Sequence, residues 1–290
     1  MKVFFLEARV PLTKKLTATT KEPYPNAFEF KSHEHIVKDI THFAALIEQH
    51  AKFGHCLLKG QLTKVLDWES RAGSTNPHLP TYWMCLDVDS IASLSSIDDM
   101  LTRMGITDVS YILQWSASAF IYDRTLRAHV FILLKDAAAA AAIKTWLKQV
   151  NLTVLQSDLS LTKTYCSLRW PLDITTCQND KLLFITPPQC DPPSLDPFVN
   201  GTIITPRIEL IRKSRDFFDF STVTLMPGEK LKALEEAEIN RLRAAQGLTE
   251  RKSTQFKIKT HKGESYFANP DQATVSSVKE ERGFVYLNLN

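Results

Sequence analysis

The sequence predicts an α/β protein of the α+β kind: a mixed sheet flanked by helices, followed by a small helical and β appendage at the carboxyl end. Three observations carry that expectation. Short apolar runs bounded by turn residues, among them YWMCLDVD and LRAHVFILLK, have the length and composition of strands. Between them lie stretches whose apolar positions recur at helical spacing. Beyond a proline-rich exit, PPQCDPPSLDP, the composition turns basic, with 13 Lys/Arg against 8 Asp/Glu over residues 207–262. That break places a first domain over 1–205 and a basic appendage over 206–290. With 290 residues and 44% hydrophobic content, the chain can bury one large core or two modest ones.

Residues 1–31 open on a strand, MKVFFLEARV, and continue as a polar, proline-bearing loop. Ile36, Ile40, Phe43, Ala44 and Ile47 recur at helical spacing, so a helix is expected from His35 to Phe53 with Gly54 as its stop. HCLLKG (55–60) reads as a strand ending in a turn. ESRAGSTNPHLP (69–80) reads as a polar loop with Arg71 beside Gly73, Ser74 and Thr75. The strand Trp83–Ser90 follows, then a helix capped by Ser95 or Ser96 and closed at Gly105. VSYILQWSASAF (109–120) and LRAHVFILLK (126–135) are strands joined by a YDRT turn, and DAAAAAAIKTWLKQV (136–150) is a helix on propensity. LTVLQSDLS (152–160) is expected to be a strand delivering Asp158, and LLFIT (182–186) another. In the appendage, a helix from about Glu229 to Gln246 precedes a hairpin-like piece and the run FVYLNLN.

The chemistry concentrates around WMCLDVDS. Asp87 and Asp89, two residues apart, point to the same side of a strand. Two carboxylates on one face repel each other, and a hard divalent cation between them relieves the repulsion; the plain alternative is a solvated strand end. Ser116, Ser118 and His129 lie on two consecutive strands of an expected hairpin and would converge near the aspartates, although an isolated strand histidine is otherwise a core residue. Asp158 stands as a third acid, with Asp173 in LTKTYCSLRWPLD as the fallback. His33, His35, His42, His50 and His55 crowd one stretch. No carboxylate or thiolate falls among them at a ligand spacing, so they read as solvated or packing histidines, and no zinc is expected.

The five cysteines form no C-x-x-C pair and imply reduced intracellular thiols, hence a cytoplasmic protein. A net charge of +3 is too small for wholesale polyanion binding. MKVFFLEARV lacks an extended apolar region and a small-residue cleavage site, and no run of about 18 apolar residues occurs, so neither a signal peptide nor a membrane span is expected.

An Asp-x-Asp strand, a Ser…His hairpin and a later single aspartate, in that order, resemble the archaeo-eukaryotic primase superfamily, the primase-polymerases, in the branch found in phages and mobile elements. CLLKG, SRAGST, QWSASA…AHVFILL and NDK…PP carry the likeness over roughly residues 50–190. The resemblance implies an RRM-like core and DNA-templated primer synthesis by two-metal nucleotidyl transfer. On it, Asp87, Asp89 and Asp158 would hold two Mg²⁺ or Mn²⁺ ions. His129, Ser116, Ser118, Arg71, Arg124, Arg127 and Lys181 would clamp the incoming triphosphate. The implied partners are a single-stranded DNA template, nucleoside triphosphates and a helicase in cis or in trans. Two departures stand: the strict Ser-x-His spacing is absent, and either Asp158 or Asp173 fills the third acid position.

Other readings compete. A haloacid-dehalogenase-like phosphatase or a metal-dependent glycosyltransferase would also use Asp87 and Asp89. Both leave His129 unexplained, and the phosphatase needs a later acid pair, for which Asp98 and Asp99 come too early. A non-catalytic single-strand-binding module would stack bases on Trp83, Trp115 and Phe131. The strand-like ending FVYLNLN, with no Gly-x-x-x-x-Gly-Lys-Ser/Thr loop in the sequence, leads to the expectation that the chain is the amino-terminal part of a longer replication protein whose helicase lies further along.

Overall fold

A computed structural model describes residues 1–250 and, beyond them, four strands. In chain order the elements are β1 (Lys2–Ala8), β2 (Lys15–Thr17), β3 (Phe30–Ile36), α1 (Ile40–Lys52), β4 (Cys56–Leu58), β5 (Asp67–Glu69), β6 (Thr81–Ile91) and α2 (Ile97–Arg103). Then come β7 (Tyr111–Trp115), β8 (Leu126–Ala138), α3 (Ala140–Thr153), β9 (Ser160–Leu161), β10 (Leu168–Arg169), β11 (Leu182–Phe184), β12 (Gln189–Asp191) and β13 (Ile208–Ile211). The last are α4 (Gly228–Ala244), β14 (Phe256–Lys259), β15 (Ser265–Ala268), β16 (Val275–Glu281) and β17 (Phe284–Leu289).

The chain divides into a unit of residues 1–158 and 170–228 and a second of 159–169 and 229–290. The expected division near residue 205 therefore moves to 228. The reason is β13, which pairs with β7 from Ile208↔Gln114 to Ile211↔Tyr111 and so belongs to the first unit's sheet. In the second unit β9 pairs with β10, β14 with β15 and β16 with β17, each antiparallel.

The fold is mixed α/β, with two antiparallel sheets in the first unit where one mixed sheet was expected: β11-β4-β1-β3-β5 and β13-β7-β8-β6. Period-two alternation gives the four-stranded sheet two apolar faces. Met84, Leu86, Val88, Val130 and Ile132 pack on Met100 and Leu101 of α2 and on Trp146 and Leu147 of α3. The opposite face, with Trp83, Cys85, Ile112 and Phe131, shares a core with Phe43 and Ile47 of α1 and with Phe5 and Leu57 of the five-stranded sheet. Trp83 and Phe131 are fully buried there, which removes them as base-stacking platforms.

Helix boundaries follow their caps. Asp39 accepts from His42 N at 2.8 Å and starts α1 at Ile40, so His35 and Ile36 lie on β3 and not in the helix. Ser96 accepts from Asp99 N and starts α2. The strand expected over 152–160 does not form. Ile143, Trp146, Leu147 and Val150 keep the helical period and carry α3 to Thr153, after which Gln156–Asp158 make one 3₁₀ turn.

Near its carboxyl end α3 carries Asn151, which is fully buried. Its Nδ2 donates to Leu172 O at 3.0 Å and its Oδ1 accepts from Leu172 N at 2.9 Å, so one amide pins the backbone beside Asp173. Asn151→Ala orphans both Leu172 groups, which should cost about 2–4 kcal/mol. Urea denaturation checks this, and an unchanged midpoint would show that the pair does not hold the segment.

Several basic residues beyond 205 are engaged internally. Arg207 pairs with both oxygens of buried Asp196, Arg212 with Asp216, Lys213 with Asp98, and Arg241 with Glu238. The cations from residue 251 onward lie outside the described side chains. Among the described residues no helix is long and apolar enough to cross a membrane, and all five cysteines are free thiols.

Candidate functional site

The register of the four-stranded sheet assembles the site. Asp87 on β6 stands opposite His129 on β8, which stands opposite Gln114 on β7. On the other side of β6, Val88 bridges Leu172, with Asp173 N donating to Asp87 O at 3.0 Å and Asp89 N to Pro171 O at 2.8 Å. Directly opposed residues of an antiparallel pair share a face. Asp173, Asp87, His129 and Gln114 therefore form one row across four neighbouring segments. Asp173, and not Asp158, thus stands beside Asp87.

Each member of the row is held. Gln114 Nε2 donates to Phe184 O at 3.4 Å, which turns Oε1 towards His129 Nδ1 at 2.7 Å and makes that nitrogen the donor. His129 Nε2 then faces Asp87 Oδ1 at 3.5 Å, within ion-pair range but longer than a good hydrogen bond. Lys181 Nζ donates to Asp173 Oδ2 at 2.9 Å, and Thr175 donates to the same carboxylate through N and Oγ1. Burial opposes ionisation of Asp173, yet the Lys181 ammonium and the Thr175 donors outweigh it and hold the carboxyl below the ordinary aspartate range. That compensation lets two carboxylates sit side by side.

Asp89 lies on the more exposed edge of the row. A register shift between Asp89 and Ile91 puts Ser90 at φ 66°, a left-handed conformation uncommon outside glycine, so a bulge sits directly after the acid. Arg127, opposite Asp89, donates to Ser90 Oγ at 2.8 Å and to Asp123 at 2.7 Å, with Asp89 4.0 Å away.

Cations from the amino-terminal loop complete the rim, and sequence reasoning missed them. Lys14 lies over the Tyr24 ring and in the fields of Asp87 and Asp89; burial first, then Lys21, holds its ammonium below the usual lysine range. Lys21 Nζ donates to the hydroxyl of buried Ser118 at 3.1 Å. Tyr24 stacks on Phe184 at 3.9 Å, beside the carbonyl that orients Gln114.

The other expected site residues are dispersed. Asp158 sits in the 3₁₀ turn and accepts from Ala92 N and Ser93 N at 2.8 and 3.0 Å, which makes it a brace for the chain leaving β6. Arg71 is taken up by the carbonyl of Asp180 at 2.7 Å, next to Lys181. Ser116 contributes through its backbone, its N donating to Arg127 O and its carbonyl accepting from Arg207 at 2.8 Å. Arg124 lines a cavity of about 720 Å³ with Leu113, Trp115 and Leu126, whose side chains project from the sheet face opposite to His129 and Asp87.

Beneath the row lies Lys59, fully buried at the end of β4. Its Nζ donates to Thr81 Oγ1 at 2.6 Å and sits 4.7 Å over the Trp83 ring. Gly60 follows because a Cβ there would meet Asn179 Cβ at 2.5 Å and its carbonyl oxygen at 2.6 Å; this close approach seats the segment that bears Lys181. Burial pulls the Lys59 ammonium down to about 7, against the smaller opposing pull of the Cys85 and Cys177 sulfurs. Unfolded, a lysine titrates near 10.4. Between about pH 7 and 10.4 the unfolded chain holds a proton that the folded chain has released, so stability should rise with pH across that window. In Lys59→Met that rise should disappear, as denaturation at pH 7 and pH 9 would show; a slope equal to wild type would contradict it.

The donor chemistry of Asp87, Asp89 and Asp173 suits Mg²⁺ or Mn²⁺, which are commonly held by one or two carboxylates and completed by substrate phosphates. No three of these acids bring ligand atoms mutually within 4.8 Å. Among the described residues, the group of three that does is Glu7, His33 and His55. A carboxylate thus joins the histidines from β1, a strand away, where sequence spacing showed none. Comparison of the chain with protein-family models, curated protein sequences and solved structures finds no match.

Proposed function

We propose that this chain is a metal-dependent nucleotidyl transferase that begins DNA strands on a single-stranded template, a primase-polymerase. The observation that carries the reading is the row Asp173–Asp87–His129–Gln114, two acids and an oriented imidazole in register on one sheet face, rimmed by Lys14, Lys21, Arg127 and Lys181. Phosphoryl and nucleotidyl transfer need positioned positive charge more than a strong base, because charge develops on phosphate oxygens in the transition state.

In this reading Asp87 and Asp89, with Asp173 across the ladder, would hold Mg²⁺ or Mn²⁺, and the ion would supply neutralisation at the reacting phosphate and activation of the attacking hydroxyl. His129, with its Nδ1 proton committed to Gln114, presents Nε2 to the site. When protonated it pairs with Asp87 in the free protein and donates to a phosphate oxygen once substrate is bound. Lys181 shifts from balancing Asp173 alone to balancing Asp173 and triphosphate together. Lys14 and Lys21 approach from the amino-terminal loop as further triphosphate donors, a role the sequence reading gave to Ser116, Ser118 and the three arginines. Phosphatase and glycosyltransferase readings leave the Gln114–His129–Asp87 alignment without a task, and so have less support.

Primer-independent incorporation of labelled nucleotide on single-stranded DNA, with and without Mg²⁺ or Mn²⁺, tests the proposal. Metal-dependent, template-dependent product is expected. Release of inorganic phosphate without polymer would overturn it in favour of a phosphatase.

A further inference from the structure

The five-stranded sheet carries a second constellation that this function does not use. Antiparallel pairing sets Phe5 opposite His33 and Val3 opposite His35, so Glu7, two residues along β1, shares a face with both histidines. His33 Nε2 lies 2.9 Å from Glu7 Oε2. His55, just before β4, stacks its ring on His33 with centroids 5.0 Å apart. Glu7, His33 and His55 each offer one ligand atom, and the three atoms lie within 4.8 Å of one another. Ligand atoms around a tetrahedral ion are roughly 3.4 Å apart at metal–ligand distances near 2.1 Å, a spacing that side-chain rotation can reach from here.

A support shell stands behind these three. His50, buried on α1 and stacked on Phe5 at 3.9 Å, places Nδ1 2.8 Å from His55 Nδ1 and Nε2 2.9 Å from His35 Nε2. A bond between two ring nitrogens needs one proton and one lone pair, so the chain His55–His50–His35 has two possible proton orders. Since His55 Nδ1 meets His50, Nε2 is the nitrogen left for a ligand role. An ion on Nε2 would fix the order, with His55 Nδ1–H donating to His50 and His50 Nε2–H donating to His35. Ligating histidines are characteristically oriented in this way through their second nitrogen. Glu7 and His33 keep side-chain exposures of 33% and 31%, which leaves an entry route and a fourth position for water.

We infer that Glu7, His33 and His55 form a binding site for one transition-metal dication of the Zn²⁺ class, separate in chemistry from the hard-oxygen acids of the Asp87 row. Two imidazoles and one carboxylate suit Zn²⁺, whereas Mg²⁺ and Ca²⁺ prefer all-oxygen sets. Bound there, the ion ties β1 and β3 to the entry of β4. The inference does not depend on the nucleotidyl-transfer reading.

Titration of the full chain, stripped of metal with a chelator, with Zn²⁺ alone tests it. One saturable equivalent is expected, and Co²⁺ in its place should give the intense visible absorption of a four-coordinate ion. Glu7→Gln and His33→Gln, both on half-exposed side chains, should each weaken Zn²⁺ at least about 10-fold, while Asp87→Asn should bind as wild type does. In the wild-type chain, Zn²⁺ should protect His33 and His55, but not exposed His78, from diethyl pyrocarbonate, a readout that needs no variant. No saturable equivalent, binding undiminished in His33→Gln, equal protection of His78, or loss of the site in Asp87→Asn would each overturn the assignment.

Discussion

Asp87→Asn is expected to lower metal-dependent nucleotide incorporation at least about 100-fold while the fold persists. The bound follows from scale: removing even an outer partner of a metal ligand commonly costs 10–100-fold, and in the proposed site Asp87 is itself a ligand. The fold should persist because Asp87 is half-exposed and, among the described residues, its side chain supports no backbone group; its ladder partners are main-chain atoms. Removing one charge from the Asp173–Asp87 pair should leave the melting temperature unchanged or raise it. Incorporation assays beside a melting curve check both halves. Wild-type-like incorporation by the variant would remove Asp87 from the chemistry.

His129→Gln should lower turnover by about 100-fold, the usual cost of losing one positioned donor to developing charge. Gln114→Leu should follow with a smaller loss, about 10-fold or more, because it frees the ring that Gln114 orients without removing it. The ordering of the two variants is the informative part. A histidine that merely filled the core would show a large fall in melting temperature with activity kept in the folded fraction, and Gln114→Leu would then leave turnover untouched.

The parts of this site legible in the sequence are those that depend on position within one strand. Period-two alternation put Asp87 and Asp89 on a common face, and the expected hairpin brought His129 near them, because strand direction and side-chain parity are local properties. Asp173 and Gln114 depend on which residue stands opposite which. The 152–160 segment illustrates the difficulty: LTVLQSDLS has strand-like composition, but α3 takes its first two residues, a 3₁₀ turn takes Gln156–Asp158, and the acid it carries braces Ala92 and Ser93. The segment at 171–173 shows no strand signal of its own. It lies along β6 because a buried asparagine some twenty residues earlier pins its backbone.

Long-range closeness also hid the rim and the second cluster. Lys14, Lys21 and Tyr24 sit in a polar loop whose composition says only that it is a loop, and Glu7 joins His33 through a strand pairing invisible to spacing. Arg71 and Arg124 were attractive as cations. Their positions, on the carbonyl of Asp180 and beside a cavity lined from the opposite sheet face, follow from turn geometry that charge alone does not reveal.

The most direct test compares Asp158, the third acid the sequence favours, with Asp173, its fallback. Primer-independent strand synthesis on single-stranded DNA with Mg²⁺ or Mn²⁺ should be measured for wild type, Asp173→Asn and Asp158→Asn, each normalised to folded protein. The row geometry predicts product from wild type and Asp158→Asn and essentially none from Asp173→Asn. Synthesis at the wild-type rate by Asp173→Asn, with Asp158→Asn silent, would contradict it.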